Sequence, residues 1–86
     1  MPRYFFSIRK DGRLVADLDG SELPHLAAAR HEAEMSLREM LANVIRSGGQ
    51  DDRLPDDLVV FDDDGREVYS LLPEQILPRQ LRRPAT

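Results

Sequence analysis

One long amphipathic helix, set between two short hairpins that turn on the same tripeptide, most limits what this chain can become. Asp11-Gly12-Arg13 lies before the helix and Asp64-Gly65-Arg66 lies after it. Between them Leu26, Ala29, Ala33, Leu37, Met40, Leu41 and Val44 recur at helical spacing and make one apolar stripe. The pattern reads β-β-α-β-β. It predicts an α+β fold, a four-stranded antiparallel sheet with one long helix packed on one face.

The first strand is expected from Arg3 to Arg9, where Tyr4, Phe6 and Ile8 alternate with Phe5 and Ser7. Lys10-Asp11-Gly12 suits a three-residue hairpin loop with Gly12 in the left-handed position. That loop pairs Arg9 with Arg13, Ile8 with Leu14, Ser7 with Val15, Phe6 with Ala16 and Tyr4 with Leu18. One face then collects Tyr4, Phe6, Ile8, Leu14, Ala16 and Leu18. Asp19-Gly20 breaks the second strand, and Pro24 marks the entry to the helix. The helix is expected from His25 or Leu26 to Ser47, a length of roughly 33 Å, with Gly48-Gly49 as its C-cap. Arg30, Glu34 and Arg38 fall on its polar face.

Gln50 to Asp57 reads as a polar loop, Leu58 to Phe61 as the third strand and Glu67 to Leu72 as the fourth. The expected register pairs Val60 with Val68, Val59 with Tyr69 and Phe61 with Glu67. One helix covers only one side of a sheet. Phe5, Val15, Val59, Phe61, Tyr69 and Leu71 are therefore expected together on the outer face, as a candidate interface. The covering element is either a second subunit, most simply in a two-fold homodimer, or the C-terminal stretch with Ile76, Leu77 and Leu81.

The chain has 86 residues, 41% of them apolar, which allows one domain with one modest core. Residues 1–78 are expected to form it, with 79–86 as a basic, flexible tail. Cysteine is absent, so stability has to come from packing or association. The N-terminus does not read as a signal peptide, and no apolar run approaches the roughly 20 residues of a membrane span. A soluble cytoplasmic protein is expected, with no membrane partner. Formal net charge is -4, and Arg79, Arg82 and Arg83 in the tail leave about -7 on residues 1–78. So acidic a body repels a phosphate backbone, which makes nucleic acid an unlikely partner.

The residues of chemically reactive type have simpler explanations. Asp17-Leu18-Asp19-Gly20 and Asp62-Asp63-Asp64-Gly65 echo calcium loops, but the EF-hand needs acids at the first and last positions around its glycine. Alignment on Gly20 puts Val15 and Leu26 there, and alignment on Gly65 puts Val60 and Leu71 there; both read as turns. His25 and His31 do not share a helix face as a zinc pair would. Ser7, Ser21, Ser36, Ser47 and Ser70 lack a glycine-flanked elbow and a partner base. Gly48-Gly49 lacks the lysine of a phosphate loop. Met35 and Met40 read as core edge and core. The tail arginines read as a solvated end. No catalytic residue, metal or cofactor is expected. A duplication at an offset of 53 would align Asp11, Gly12, Arg13, Val15 and Leu18 with Asp64, Gly65, Arg66, Val68 and Leu71, but hairpin chemistry alone accounts for it.

Met1-Pro2-Arg3-Tyr4-Phe5-Phe6, the loop Asp19-Gly20-Ser21-Glu22-Leu23-Pro24, the helix opening Ala27-Ala28-Ala29-Arg30-His31-Glu32-Ala33 and the last hairpin together resemble a family of short bacterial proteins of unknown function. The resemblance runs over residues 2–72 and departs at the loop Gly48–Asp57 and in the tail. It implies no activity and no catalytic residues. On overall pattern alone the chain also resembles HicB-like antitoxin-type domains. The resulting expectation is a small non-enzymatic interaction or regulatory module that self-associates. The alternative is a HicB-like domain that binds a small protein partner.

Overall fold

The computed structural model describes residues 1–48 and 54–76. In chain order the elements are β1 (Arg3–Lys10), β2 (Arg13–Val15), β3 (Ser21–Glu22), α1 (Leu26–Arg46), β4 (Asp57–Phe61) and β5 (Glu67–Leu71), followed by a single 3-10 turn at Pro73–Gln75. The sheet is antiparallel with order β2-β1-β4-β5. The expected α+β class and strand pattern are present, with β3 as an added two-residue strand. Because β4 occupies one edge of β1, β2 and β3 share the other. β2 pairs with Ile8–Lys10, and β3 pairs with Arg3 and Tyr4. The expected tail, with Arg79, Arg82 and Arg83, and the expected cover at Leu77 and Leu81 lie outside the described residues.

The first hairpin is tighter than expected. Lys10 pairs with Arg13, so the loop is only Asp11-Gly12. Both residues have positive φ, 53° and 77°, the signature of a type I′ turn, whose twist matches that of the flanking strands. The loss of one loop residue moves the whole register by one: Arg9 faces Leu14 and Ile8 faces Val15. A one-residue slip inverts every side chain on the strand. Val15 therefore moves to the helix side of the sheet, and Leu14 moves to the far side. The strand also ends at Val15 and does not reach Leu18.

The helix begins where expected. His25 is its N-cap, and its imidazole Nδ1 accepts a hydrogen bond from the Ala28 N–H at 3.1 Å. Ala29, Ala33, Leu37, Leu41 and Val44 are buried, one residue per turn along a single stripe. Ala29 and Ala33 have almost no side chain, which lets this end of the helix lie close against Tyr4, Leu58 and Val60. Phe6, Ile8, Leu23, Met40, Val68 and Tyr69 pack around that centre. Leu26, expected in the stripe, is exposed. The helix stops at Arg46, with the Ser47 N–H donating to the Asn43 carbonyl. Gly48 follows at φ +99°, a left-handed position that favours glycine. The expected second glycine of the cap, Gly49, is outside the described residues.

In the second hairpin Phe61 faces Glu67 as expected, but a bulge then intervenes. Val60 pairs with Tyr69, Val59 with Ser70 and Leu58 with Leu71. Val68, expected opposite Val60, is the extra residue. The bulge allows Val68 and Tyr69 both to reach the core, which a regular strand forbids. Tyr69 and Leu71 thus join Val60 and Leu58 on the helix side. The Arg30 guanidinium lies 5.2 Å from the centre of the Tyr69 ring, which clamps α1 to β5 from the polar side of the helix.

Candidate interaction surface

The structure divides the six residues expected on one outer face. Phe5, Val59 and Phe61 do lie together on the face away from the helix, with Phe5 paired directly to Phe61. Val15, Tyr69 and Leu71 lie on the helix side, for the two register reasons above. Only half of the expected patch therefore exists as a patch.

The half that exists is largely covered by its own chain. Val59 is 0% exposed, and Phe5 and Phe61 are half-buried. Two features of the described residues contribute. Arg9 stands opposite Asp57 and pairs with it at 3.3 Å, and its guanidinium also reaches Glu67 at 3.5 Å. Glu67 stands beside Phe61, at the other end of β4 from Asp57, so the arginine stem extends along the outer face past Val59. Long charged side chains cover apolar surface in this way while their heads stay in water. At the other end the turn at Gly20 presses onto Phe5. A Cβ on Gly20 would stand 2.8 Å from Phe5 Cε2 and 2.8 Å from Arg3 Cγ, so only glycine admits this approach.

Apolar exposure is concentrated elsewhere. Leu14 is 49% exposed, Val15 57% and Leu18 87%, all on the segment that forms and follows β2. The antiparallel ladder explains why this edge is open. The Lys10–Arg13 pair closes a two-residue turn and is hydrogen-bonded. By alternation Ile8–Val15 is hydrogen-bonded as well, and Arg9–Leu14 is not. The Leu14 N–H and C=O therefore point away from β1. The residues expected at the interface omit Leu14 and Leu18. The signal that would have found them is the Asp-Gly dipeptide read as a two-residue loop.

Below Leu14 the edge is closed by a side chain instead of a strand. The Asp17 carboxylate accepts the Phe6 N–H at 3.0 Å and the N–H groups of Asp19 and Gly20 at 3.2 Å each. The Asp17 N–H donates to Oγ of the buried Ser7 at 3.1 Å. Burial works to raise the Asp17 pKa, but the backbone donors Phe6, Gly20 and Asp19 outweigh it, so the carboxyl titrates below its ordinary value. Asp17 thus fills the gap on β1 between β2 and β3. Asp62 does similar work in the second hairpin, where its Oδ1 accepts the N–H groups of Asp64 and Arg66 at 2.9 Å each. Arg3 ties the two turns together, with its N–H on Asp63 Oδ2 at 3.2 Å and its guanidinium on the Asp19 carbonyl and Glu22 at 2.9 Å each.

Of the remaining candidates, His25 and Ser7 are held by structural contacts. The His25 imidazole is engaged in the helix cap, and His31 is exposed on α1. Ser7 is held by Asp17, while Ser21, Ser47 and Ser70 are exposed and Ser36 is half-buried. Among the described residues no group of three His, Cys, Asp or Glu side chains is placed to hold a metal ion. No described helix is long and apolar enough to cross a membrane.

The family described as "Domain of unknown function (DUF6894)" matches residues 3–72, from the start of β1 to just past the end of β5. No curated protein matches the chain, and no solved structure does. The match agrees with the expected family of unknown function. It bears on neither the Met1-Pro2 opening nor the likeness to HicB-like domains.

Proposed function

The chain belongs to the DUF6894 family, a domain of unknown function, and from its surface we propose that it is a small non-enzymatic interaction or regulatory module that associates with a second copy of itself. The observation that carries this reading is the open edge of β2. Leu14, Val15 and Leu18 are exposed large apolar residues of one short segment, beside the Leu14 backbone groups, which have no strand partner among the described residues. Exposed apolar side chains at an unpaired strand edge are the ordinary means by which sheets associate. A non-enzymatic role is supported by the use made of the reactive residues, since the imidazole of His25, the carboxylate of Asp17 and the hydroxyl of Ser7 are all engaged in holding the backbone.

Light scattering at micromolar concentration tests self-association, with a dimeric mass as the expected result. A monomeric mass up to the solubility limit refutes it. The same open edge supports the second reading, a HicB-like antitoxin-type domain that takes a strand from a small protein partner by β-augmentation. That reading expects a monomer alone and a stable one-to-one complex with the partner.

A further inference from the structure

We propose that Asp11-Gly12 is a site of spontaneous covalent modification, where the folded chain converts aspartate to isoaspartate through a cyclic succinimide and so lengthens the turn that sets β2. The site does not depend on the self-association proposed above.

The chemistry needs an aspartate followed by a residue with no side chain in the way. The Gly12 nitrogen gives up its proton and bonds to Cγ of the protonated Asp11 carboxyl, and the carboxyl oxygen leaves as water. Water then opens the five-membered ring. Attack at Cγ restores aspartate. Attack at the Asp11 backbone carbonyl carbon gives isoaspartate, in which the chain runs through Cγ and the α-carboxylate is free. No oxidant or co-reactant other than water enters.

Three Asp-Gly pairs occur in the described residues: Asp11-Gly12, Asp19-Gly20 and Asp64-Gly65. Two have the attacking nitrogen engaged. The Gly20 N–H donates to Asp17 Oδ1 at 3.2 Å, and the turn is packed on Phe5 and Arg3. The Gly65 N–H donates to the Asp62 carbonyl at 3.0 Å, the Asp64 N–H donates to Asp62 Oδ1 at 2.9 Å, and the Asp64 carboxylate is paired with Arg66 at 3.2 Å. At the first pair both residues are exposed, and the Gly12 N–H has no acceptor among the described residues.

The turn type supplies the motion that the reaction needs. In a type I′ turn the first central residue has ψ of about +30°, which sets the Gly12 nitrogen nearly opposite the Asp11 Cβ about the Cα–C bond. A flip of the peptide between Asp11 and Gly12 converts the turn to type II′, where that ψ is about −120° and the nitrogen eclipses Cβ, in reach of Cγ. Both turns close two-residue hairpins, so the Lys10–Arg13 pair survives the flip. The Asp11 φ of 53° suits both turns. The Asp11 N–H bond to Asp56 belongs to the preceding peptide and stays in place. Nothing lies within 4 Å of a Cβ position on Gly12, so the space around the turn is open. The isoaspartyl product has one more backbone atom in the loop. It no longer closes on Lys10–Arg13, and Arg13 and Val15 lose their bonds to β1.

The full chain, folded and in urea, is incubated at neutral pH in heavy-oxygen water, digested in ordinary water and read by mass spectrometry. Ring opening leaves one heavy oxygen on each aspartate that has passed through the succinimide. In the folded chain Asp11 is expected to gain label about fivefold faster than Asp19 or Asp64, the factor for one hydrogen bond of ordinary net strength that must first break at those sites. In urea the three are expected to react at similar rates. Label at Asp19 or Asp64 that equals or leads Asp11 in the folded chain overturns the assignment. So does the same ratio in urea, or a folded chain that gains no label at Asp11. The isoaspartyl form, separated by ion exchange, is expected to show faster amide exchange at Arg13 and Val15 than the unmodified chain; unchanged exchange overturns the effect on β2.

Discussion

Replacement of Asp17 should destabilise the fold in a way that depends on pH. In Asp17→Ala three backbone donors lose their acceptor: Phe6, Asp19 and Gly20. The Asp19 and Gly20 groups lie in a surface turn, where water can replace most of what is lost. The Phe6 N–H lies in the middle of β1, between the stretches paired to β2 and β3. A hydrogen bond to a charged group is worth about 1.5–3 kcal/mol net, and an orphaned donor costs about 1–3 kcal/mol. With the turn donors counted as partly compensated, Asp17→Ala is expected to cost about 2–3 kcal/mol. Asp17→Asn keeps an acceptor oxygen and loses the charge, and is expected to cost about 1 kcal/mol.

The pH dependence follows from the direction of the shift. The folded-state pKa is lowered relative to the unfolded chain, where an aspartate titrates at about 3.9. The ionised form is therefore favoured by folding, and its contribution is fully present above about pH 4–5. It fades as pH falls through the folded pKa. Urea midpoints of wild type and Asp17→Asn should differ by a constant amount between pH 7 and about pH 5, and converge below about pH 4. A difference that stays constant to about pH 2, or widens on acidification, would falsify the assignment of the carboxylate as the acceptor that closes this edge.

Other substitutions test the remaining supports. Leu37→Ala, at a fully buried position on α1, should cost about 2–4 kcal/mol by thermal or urea unfolding, with retained solubility of the folded fraction. Gly20→Ala should cost clearly more than Gly65→Ala. Both have positive φ, but the new methyl meets Phe5 and Arg3 at the first and open space at the second, so equal midpoints would contradict the packing of this turn on β1. Gly12→Val should destabilise through backbone strain alone, by about 1–2 kcal/mol, since nothing lies within 4 Å of its added carbon. His25→Asp should raise the thermal midpoint slightly, because a carboxylate is a stronger N-cap than an imidazole and complements the helix dipole by about 0.3–1 kcal/mol.

The helix was readable from sequence because its signal is redundant. Five buried residues spread over five turns tolerate an error at any one position, and Leu26 turning outward did not disturb the rest. Sheet parity has no such redundancy. It hung on whether Lys10 belonged to the loop or to the strand, and on whether Val68 was a regular strand residue. Each choice changes the count by one, and each inverts a face. β3 was illegible for a different reason. Ser21 and Glu22 have no strand propensity to read. They are held against β1 by the Arg3–Glu22 ion pair at 2.9 Å and by the Leu23 N–H on the Pro2 carbonyl at 3.0 Å, contacts that exist only once the chain has folded back.

The two Asp-Gly-Arg hairpins show how much of the surface turns on such contacts. In the first, Asp11 itself takes a left-handed conformation, and its N–H donates to the Asp56 carboxylate at 2.9 Å. The Asp56 N–H in turn donates to the Arg9 carbonyl at 2.7 Å, so the segment before β4 is tied to this turn. In the second, Asp62 collects the N–H groups of Asp64 and Arg66, and Gly65 alone is left-handed. The same tripeptide therefore closes a two-residue loop in one place and a wider loop in the other. The tight turn fixes Leu14 with its backbone outward, and the wide turn with its bulge sends Tyr69 inward under Arg30. Had both hairpins used the wider loop, Val15 would lie on the far side of the sheet from the helix. The exposed apolar edge at Leu14 is thus a consequence of one residue of loop length, in a turn tied to a carboxylate from a segment more than forty residues away in sequence.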